Sequence, residues 1–117
     1  MPFILNDPIQ TIPEIHVGDI GTNFIVTIYK EDSAIFNLSG ATSLTIRFFS
    51  SARVSKDRVA SLYTNGTDGK VVYSLADGDI DVSGGWTYQV IIEIAGNNWN
   101  TNIVPFTVYP NIPAPIL

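Results

Sequence analysis

Large apolar residues alternate with mostly polar ones along the second half of the chain. Trp86, Tyr88, Val90, Ile92 and Ile94 occupy every second position. Successive side chains of a β-strand point to opposite faces, so this spacing places all five on one face. The pattern predicts a long central strand over 85–95. We expect Trp86 to lie between two sheets and the other strands to pack against this apolar face.

Shorter stretches with the same period of two predict further strands. Turn sequences such as Asn65-Gly66 separate them, because glycine accepts a positive φ at little cost. No window of eleven or more residues has helical periodicity. Strands are predicted at 15–19, 22–30, 34–38, 43–49, 58–63, 70–75 and 99–109, with a loop over 50–57. The sequence therefore predicts an all-β fold, an antiparallel Ig-like β-sandwich of about seven to nine strands, with a β-barrel as the alternative.

Proline-rich apolar segments flank the predicted sandwich, which spans 14–109. Proline lacks a backbone N–H and restricts the residue before it, so residues 1–13 and 110–117 are both predicted to be extended arms. Two interpretations of the N-terminal arm stay open: it covers an edge of the domain's own core, or it docks on a neighbouring subunit. The large apolar residues considered in the two arms are Phe3, Ile4, Leu5, Ile116 and Leu117.

The composition indicates one apolar domain that does not bind nucleic acid. A chain of 117 residues fits a single domain. Apolar residues make up 45% and charged residues 15%, against about 25% charged in average soluble domains. Such a surface is expected to be partly covered by partners. The net charge is −5, and the few cations, including Arg53, Lys56 and Arg58, form no basic run that could bind phosphates.

The sequence also excludes several kinds of site and location. It has no cysteine, which excludes disulfides, thiolate zinc sites and cysteine nucleophiles. No basic region followed by an apolar run begins the chain, so no signal peptide is predicted. No apolar run approaches the ~20 residues of a membrane helix. We therefore expect synthesis in the cytoplasm, no membrane partner and no cofactor.

His16 is the only histidine, and so the only candidate for the base of a Ser-His-Asp arrangement. Nearby Asp19 could orient it, but no serine occupies a recognisable nucleophile turn. We expect a histidine on a strand or in a turn, bonded to backbone. Acidic pairs such as Glu31-Asp32 lie in predicted turns, where carboxylates are usually solvated, so they do not indicate glycosidase chemistry. The sequence therefore predicts a protein that is not an enzyme.

Three aspartates, Asp77, Asp79 and Asp81, stand at alternate positions before the central strand. Their spacing resembles the start of an EF-hand calcium loop, which needs Gly at position six and Glu at position twelve. Those positions are Val and Tyr here. A looser oxygen site that includes Asp68 is an alternative. The simpler expectation is that these carboxylates accept hydrogen bonds from backbone N–H groups of the turn.

Packing of the apolar faces against one another leaves a second set of apolar residues pointing outward, at the alternate positions of their strands. With the two arms, this is more apolar surface than a solitary domain exposes, which predicts a homo-oligomer or another protein partner. Trp99, Tyr29 and Tyr109 could instead form a platform on which sugars stack, so a carbohydrate-binding module is the alternative. The predicted interface residues are Phe3, Ile4, Leu5, Ile25, Tyr29, Phe49, Ile91, Trp99, Tyr109, Ile116 and Leu117.

Five short segments follow one another within residues 14–109: HVGDIGT from His16, NLSGAT from Asn37, TDGKVVY from Thr67, GWTYQV from Gly85 and FTV from Phe106. In this order they resemble the N-terminal domain of the baseplate upper protein family of tailed bacteriophages. In that family, fibre-like or receptor-related regions typically follow the domain. The sequence here stops at residue 117, so the resemblance does not extend to receptor binding.

The resemblance implies an Ig-like β-sandwich that acts in a phage virion as a scaffold or adaptor, without catalysis. It implies a position in the baseplate, tail or fibre attachment, with the neck and the capsid as further candidates. Other virion proteins would be the partners, and synthesis would take place in the host cytoplasm. The competing function is a carbohydrate-binding module that contacts glycans of the host surface.

Overall fold

The computed structural model describes residues 9–11 and 14–112. These residues form an all-β sandwich, as predicted, with ten strands and no helix among them, so the predicted seven to nine strands were too few. The strands are β1 (Ile9–Thr11), β2 (Ile15–His16), β3 (Asn23–Thr27), β4 (Ala41–Phe49), β5 (Ser55–Val59), β6 (Ser61–Leu62), β7 (Lys70–Ser74), β8 (Gly84–Ile94), β9 (Asn97–Asn100) and β10 (Val104–Tyr109).

Two sheets pack face to face. The four-stranded sheet has the order β1-β3-β7-β6, and the six-stranded sheet has the order β2-β10-β8-β4-β5. The ninth strand also pairs with β8, so β9 and β10 follow successive parts of its length. The prediction of a long central strand is therefore confirmed, because β8 is the longest of the described strands and pairs with three others.

The core lies between the sheets and is built from the predicted apolar faces. Trp86 is 1% exposed, and Tyr88, Val90 and Ile92 are buried with it. The ring centroid of Phe24, from the opposite sheet, lies 5.0 Å from that of Tyr88 in an edge-to-face arrangement that suits aromatic quadrupoles. The predicted core residues Phe24, Val26, Ile28, Leu44, Ile46 and Phe48 are all buried, whereas Ile94 is only partly buried.

The second strand corrects the prediction of a purely antiparallel sandwich. Ile15 lies opposite Val108, and His16 lies opposite Tyr109, with β2 and β10 parallel. The six-stranded sheet is therefore mixed. Nearly the whole domain separates these two strands along the chain, which supplies the long crossover that a parallel pair requires. Alternation within one strand carries no information about the direction of its neighbour.

Residues 34–38 do not form the predicted strand. Ile35 makes a single antiparallel bridge with Tyr29. The backbone N–H of Phe36 donates to the Ile28 carbonyl at 3.0 Å, and that of Leu38 donates to the Gly66 carbonyl at 2.7 Å. Phe36 and Leu38 are buried, so the alternation was real, but their backbone bonds to loops instead of a ladder.

The prediction was also wrong between residues 50 and 63. The fifth strand begins at Ser55, within the predicted loop, and the predicted strand over 58–63 is divided between β5 and β6, which belong to different sheets. The chain crosses between them at Ala60, whose N–H donates to the Leu44 carbonyl at 2.9 Å. The polar sequence Ser-Lys-Asp-Arg concealed the strand, because its cations are satisfied by partners about twenty residues away.

The predicted strand over 99–109 is likewise two strands, separated by residues 101–103. Thr101 is buried, and its N–H donates to the Val90 carbonyl at 3.0 Å. The Thr101 hydroxyl accepts from the Val90 N–H at 2.9 Å. Thr101 thus satisfies both the N–H and the carbonyl of Val90. The following residues can therefore bulge away from β8, and Ile103 is 66% exposed.

Part of the predicted N-terminal arm is a strand. β1 pairs with β3 and covers that edge of the four-stranded sheet, with Thr11 opposite Ile25. For residues 9–11, the arm therefore lies on its own domain. The predicted interface residues Phe3, Ile4, Leu5, Ile116 and Leu117 lie outside the described residues.

Candidate protein-interaction surface

The outward side of the six-stranded sheet carries apolar side chains among polar ones. Directly opposite residues of antiparallel strands place their side chains on the same face. Thr45 lies opposite both Val59 and Ile91, and Phe49 lies opposite Ser55 and Thr87. We use the term outer face for the side chains of Thr45, Arg47, Phe49, Ser55, Asp57, Val59, Thr87, Gln89 and Ile91.

The apolar members of the outer face are accessible to a partner. Val59 is 82% exposed and Phe49 is 36% exposed, while Ile91 is half-buried. The four-stranded sheet packs on the opposite side of β4 and β8, against the buried side chains of these strands. Among the described residues, the outer face is therefore the side of the six-stranded sheet that is not packed against the other sheet.

A groove of about 210 Å³ crosses the outer face. Phe49 of β4 and Ile103 line its two sides, and Thr87 and Gln89 of β8 lie between them. Pockets that bind small molecules or cofactors usually measure about 300–1,000 Å³. The groove is therefore too small for such a ligand, and its dimensions suit one or two side chains of a protein partner.

An ion pair crosses the middle of the outer face. Arg47 donates to both carboxylate oxygens of Asp57, at 2.7 and 2.9 Å. This hydrogen bonding holds the pKa of Asp57 below its usual range and raises the pKa of Arg47. The Arg53 guanidinium lies 5.9 Å from the centroid of the Phe49 ring. Since Arg47 and Asp57 neutralise each other, the defined outer face carries no net charge although the protein as a whole is acidic.

The structure brings only some of the predicted interface residues together. Phe49 and Ile91 lie on the outer face. Ile25 lies on the other sheet beside β1, and Tyr29 is half-buried at its bridge with Ile35. The sequence analysis missed Val59 and Ile103, which are more exposed than any of these. Ile103 precedes Val104 within a predicted continuous strand, so the local sequence carried no signal that would have identified it as exposed.

The three aromatic residues of the proposed sugar platform do not form one surface. Trp99 lies opposite Ile92, near one end of β8, and it packs edge-on against Phe36 with centroids 5.5 Å apart. Tyr109 follows Val108, which lies opposite Gly84 at the other end of β8. At ~3.3 Å per residue, about 26 Å of strand separate the two levels. A single sugar ring cannot contact both Trp99 and Tyr109.

His16 connects the beginning and the end of the sandwich. Its Nε2 lies 2.6 Å from the Glu14 carboxylate, and its ring centroid lies 5.7 Å from that of Tyr109. The hydrogen bond with Glu14 raises the pKa of His16, and a further bond to the Pro110 backbone acts in the same direction. The Asp19 carboxylate accepts from the backbone N–H of His16 at 2.9 Å. The hydrogen bond between His16 and Asp19 is therefore a turn contact of the backbone, whereas the imidazole bonds to Glu14.

Asp79 organises the acidic turn whose sequence resembled a calcium loop. Its buried carboxylate accepts hydrogen bonds from the Ala76 N–H at 2.9 Å, the Arg58 Nε at 2.7 Å and the Tyr73 hydroxyl. Burial alone would raise the pKa of Asp79, but these donors outweigh it and the pKa is lowered. The expected role of an aspartate that accepts from a turn N–H is confirmed for this residue.

Lys56 holds the same turn from the neighbouring strand. Its ammonium donates to the carbonyls of Gly78 and Asp79 at 3.2 and 2.9 Å, and it lies 3.0 Å from the Asp81 carboxylate. The ammonium also lies 5.6 Å from the centroid of a Trp86 ring. Among residues 9–11 and 14–112, no group of three or more His, Cys, Asp or Glu side chains is placed to hold a metal ion.

Comparisons of the chain with protein-family models, curated proteins and solved structures return no match. None of the described residues belong to a helix long and apolar enough to cross a bilayer.

Proposed function

We propose that this chain is a non-enzymatic structural protein of a tailed-phage virion. In this role it oligomerises and acts as a scaffold or adaptor in the baseplate, tail or fibre attachment. The single observation that carries the proposal is the uncovered outer face, with Phe49, Val59 and the adjoining Ile103 exposed on a rigid sheet. The resemblance of five sequence segments to the baseplate upper protein family supplies the virion context.

The energetics favour an assembly held by several weak contacts. A large apolar side chain contributes about 1.5–3 kcal/mol when it is fully buried. Three such residues contribute at most about 9 kcal/mol, which is comparable with the estimated cost of association, about 4–15 kcal/mol. The outer face alone is therefore marginal for a stable complex. The apolar arms, repeated in every copy of an oligomer, supply the additional contact that a stable assembly needs.

The chemistry of the ionisable groups also supports a structural role. The buried Asp79 and its partners Arg58 and Lys56 connect β5 to the turn before β8. His16 connects Glu14 to the end of β10. Each group stabilises the connection of one element to another, as expected in a protein whose task is to keep a surface rigid.

The proposal is tested by the composition of purified phage particles. Mass spectrometry of particles from a strain that encodes this sequence should find the chain at a fixed ratio to the major tail or capsid protein. A phage-encoded replication protein serves as the control and should be absent from the same particles. If the chain occurs in infected-cell lysate but is lost with that control during particle purification, the proposed function is wrong.

A further inference from the structure

The end of the described chain exposes an apolar side chain on a fixed backbone. The Val17 N–H donates to the Tyr109 carbonyl at 3.1 Å, and the Asn111 side-chain amide donates to the Val17 carbonyl at 2.7 Å. Directly after this anchor, Ile112 is 93% exposed. The chain is thus held as far as Asn111 and then carries an isoleucine into solvent.

The residues that follow continue this apolar character. They read Pro-Ala-Pro-Ile-Leu and contain no charged side chain. Closely spaced prolines favour a polyproline II conformation, which has no internal hydrogen bonds and therefore presents free carbonyl acceptors. A segment of this kind binds to grooves that combine an aromatic side chain with N–H donors.

The groove on the outer face has both features. Phe49 supplies an exposed aromatic ring, and Ile103 faces it across the groove. Gln89 has two amide N–H donors, of which one bonds to the Thr101 carbonyl. Arg47 has five donors, of which two bond to Asp57. The remaining donors of Gln89 and Arg47 can bond to carbonyls of an extended segment.

The direction of the chain separates the tail from the groove of its own domain. Thr87, which lines the groove, lies about 10 Å along β8 from Gly84, and Gly84 is the partner of Val108 near the end of β10. Asn111 is anchored at Val17, on the other side of that pair, so the chain runs away from the groove as far as Asn111. Ile116 lies five residues after Asn111, at most ~17 Å away when fully extended. A reversal of the chain within this length is incompatible with polyproline II geometry.

We propose that Ile116 and Leu117 of one copy occupy the groove between Phe49 and Ile103 of a second copy. This inference rests on the proposed function, because it specifies how the copies of the oligomer contact one another. The contact is heterologous, with a tail on one side and a groove on the other, so repetition gives a ring or an open filament. The side chains of residues 112–117 are uncharged, and Arg47 and Asp57 pair with each other, so the contact buries no unpaired side-chain charge.

Two complementary variants of the full chain test the proposal. The first, Ile116→Ser with Leu117→Ser, keeps the groove and loses the tail contact. The second, Ile103→Ser, keeps the tail and loses one side of the groove. Ile20→Ser is the matched control, because Ile20 is 64% exposed, nearly as much as Ile103, and belongs to neither the outer face nor the groove. Light scattering and sedimentation measure the mass of each protein over a range of concentrations.

We expect the wild type and the control to assemble with association constants within about twofold of each other. Each of the two variants should assemble at least about tenfold more weakly, since each removes a buried apolar contact. A mixture of the two variants should form a species of twice the monomer mass of 12.8 kDa, because one supplies the tail and the other the groove. Unchanged circular dichroism confirms that both variants fold.

Three outcomes would overturn the inference. If the tail variant assembles as strongly as the wild type, the inference about the tail is wrong, although the proposed oligomer still stands. A monomeric wild type in which tail substitutions shift NMR signals of Gln89 and Ile103 would show that the tail binds in its own chain. Failure of the mixture to form a heterodimer, with both single variants monomeric, would place the contact elsewhere, for instance with the N-terminal arm.

Discussion

Arg58 on β5 and Asp79 in the connection between β7 and β8 form an ion pair at 2.7 Å, with the aspartate side chain 5% exposed. The same carboxylate accepts from Tyr73 on β7. Since β5 and β7 belong to different sheets, one buried carboxylate connects both sheets to the turn that precedes the central strand. Asp79 thereby fixes the turn from which β8 enters the core.

Replacement of Asp79 by Ala should therefore destabilise the whole domain. We expect a loss of about 2–3 kcal/mol in the free energy of unfolding, below the 3–5 kcal/mol of a fully buried pair because Arg58 is 34% exposed. Urea denaturation followed by circular dichroism measures it. Asp77→Ala, an exposed change in the same turn, should stay within about 0.5 kcal/mol of the wild type. Equal effects of the two substitutions would refute the role of Asp79.

The stability of the protein should fall in acid partly through Asp79. Its pKa lies below the ordinary value of 3.8, because donors outweigh burial. A carboxyl with a lowered native pKa contributes stability above its unfolded pKa and loses this contribution as the pH falls through the native pKa. Between pH 5 and 2, the unfolding free energy of Asp79→Asn should therefore depend less on pH than that of the wild type. Identical slopes would contradict this assignment.

Gly66 should be the least replaceable of the turn glycines with a positive φ. A Cβ at this position, where φ is +93°, would lie 2.6 Å from the Ser39 backbone nitrogen. Gly66→Ala should cost roughly 3 kcal/mol or more, from backbone strain and overpacking together. At Gly78 φ is +84° but no atom lies within 4 Å of the added Cβ, so Gly78→Ala should cost only about 1–2 kcal/mol. Thermal or chemical denaturation of both variants measures these losses of stability. Equal losses would contradict the close contact between position 66 and the Ser39 backbone.

Trp99 should contribute to stability instead of sugar binding. It packs against Phe36 and the core, so Trp99→Ala should lower the unfolding free energy by about 2 kcal/mol, less than for a fully buried tryptophan. Tyr109→Ala, at a residue 42% exposed, should cost less than about 1 kcal/mol. A glycan array probed with the wild type should show no binding that depends on Trp99. Glycan binding lost in a Trp99→Ala variant of unchanged stability would favour the carbohydrate-binding alternative.

The alternation of apolar residues was sufficient to predict the core but not the connections around it. It identified β3, β4 and β8 and the burial of Trp86, because a period of two directly encodes which side chains share a face. It failed at β5, whose cations become favourable in a strand only when the Asp79 turn folds over them. The parallel pairing of β2 and β10 could not be predicted either, since these two strands come from opposite ends of the domain's sequence and meet only in the folded structure.

The candidate interaction surface was likewise predictable only where the pattern of a single strand determines it. Phe49 and Ile91 were predicted to point outward from the pattern of their own strands, and the structure places both on the outer face. Ile103 was missed because its segment was interpreted as continuous strand. The hydroxyl and N–H of Thr101 create the bulge that exposes Ile103, and this tertiary arrangement has no signature in the local sequence.

The central claim is that another protein chain covers the outer face in an assembled phage particle. A photo-reactive amino acid at position 103 tests this directly, with the same group at the exposed position 77 as the control. After irradiation of purified particles, mass spectrometry should identify adducts from position 103 to a second copy or another virion protein, and none from position 77. Adducts at equal yield from both positions, or particles that lack the chain, would contradict the account.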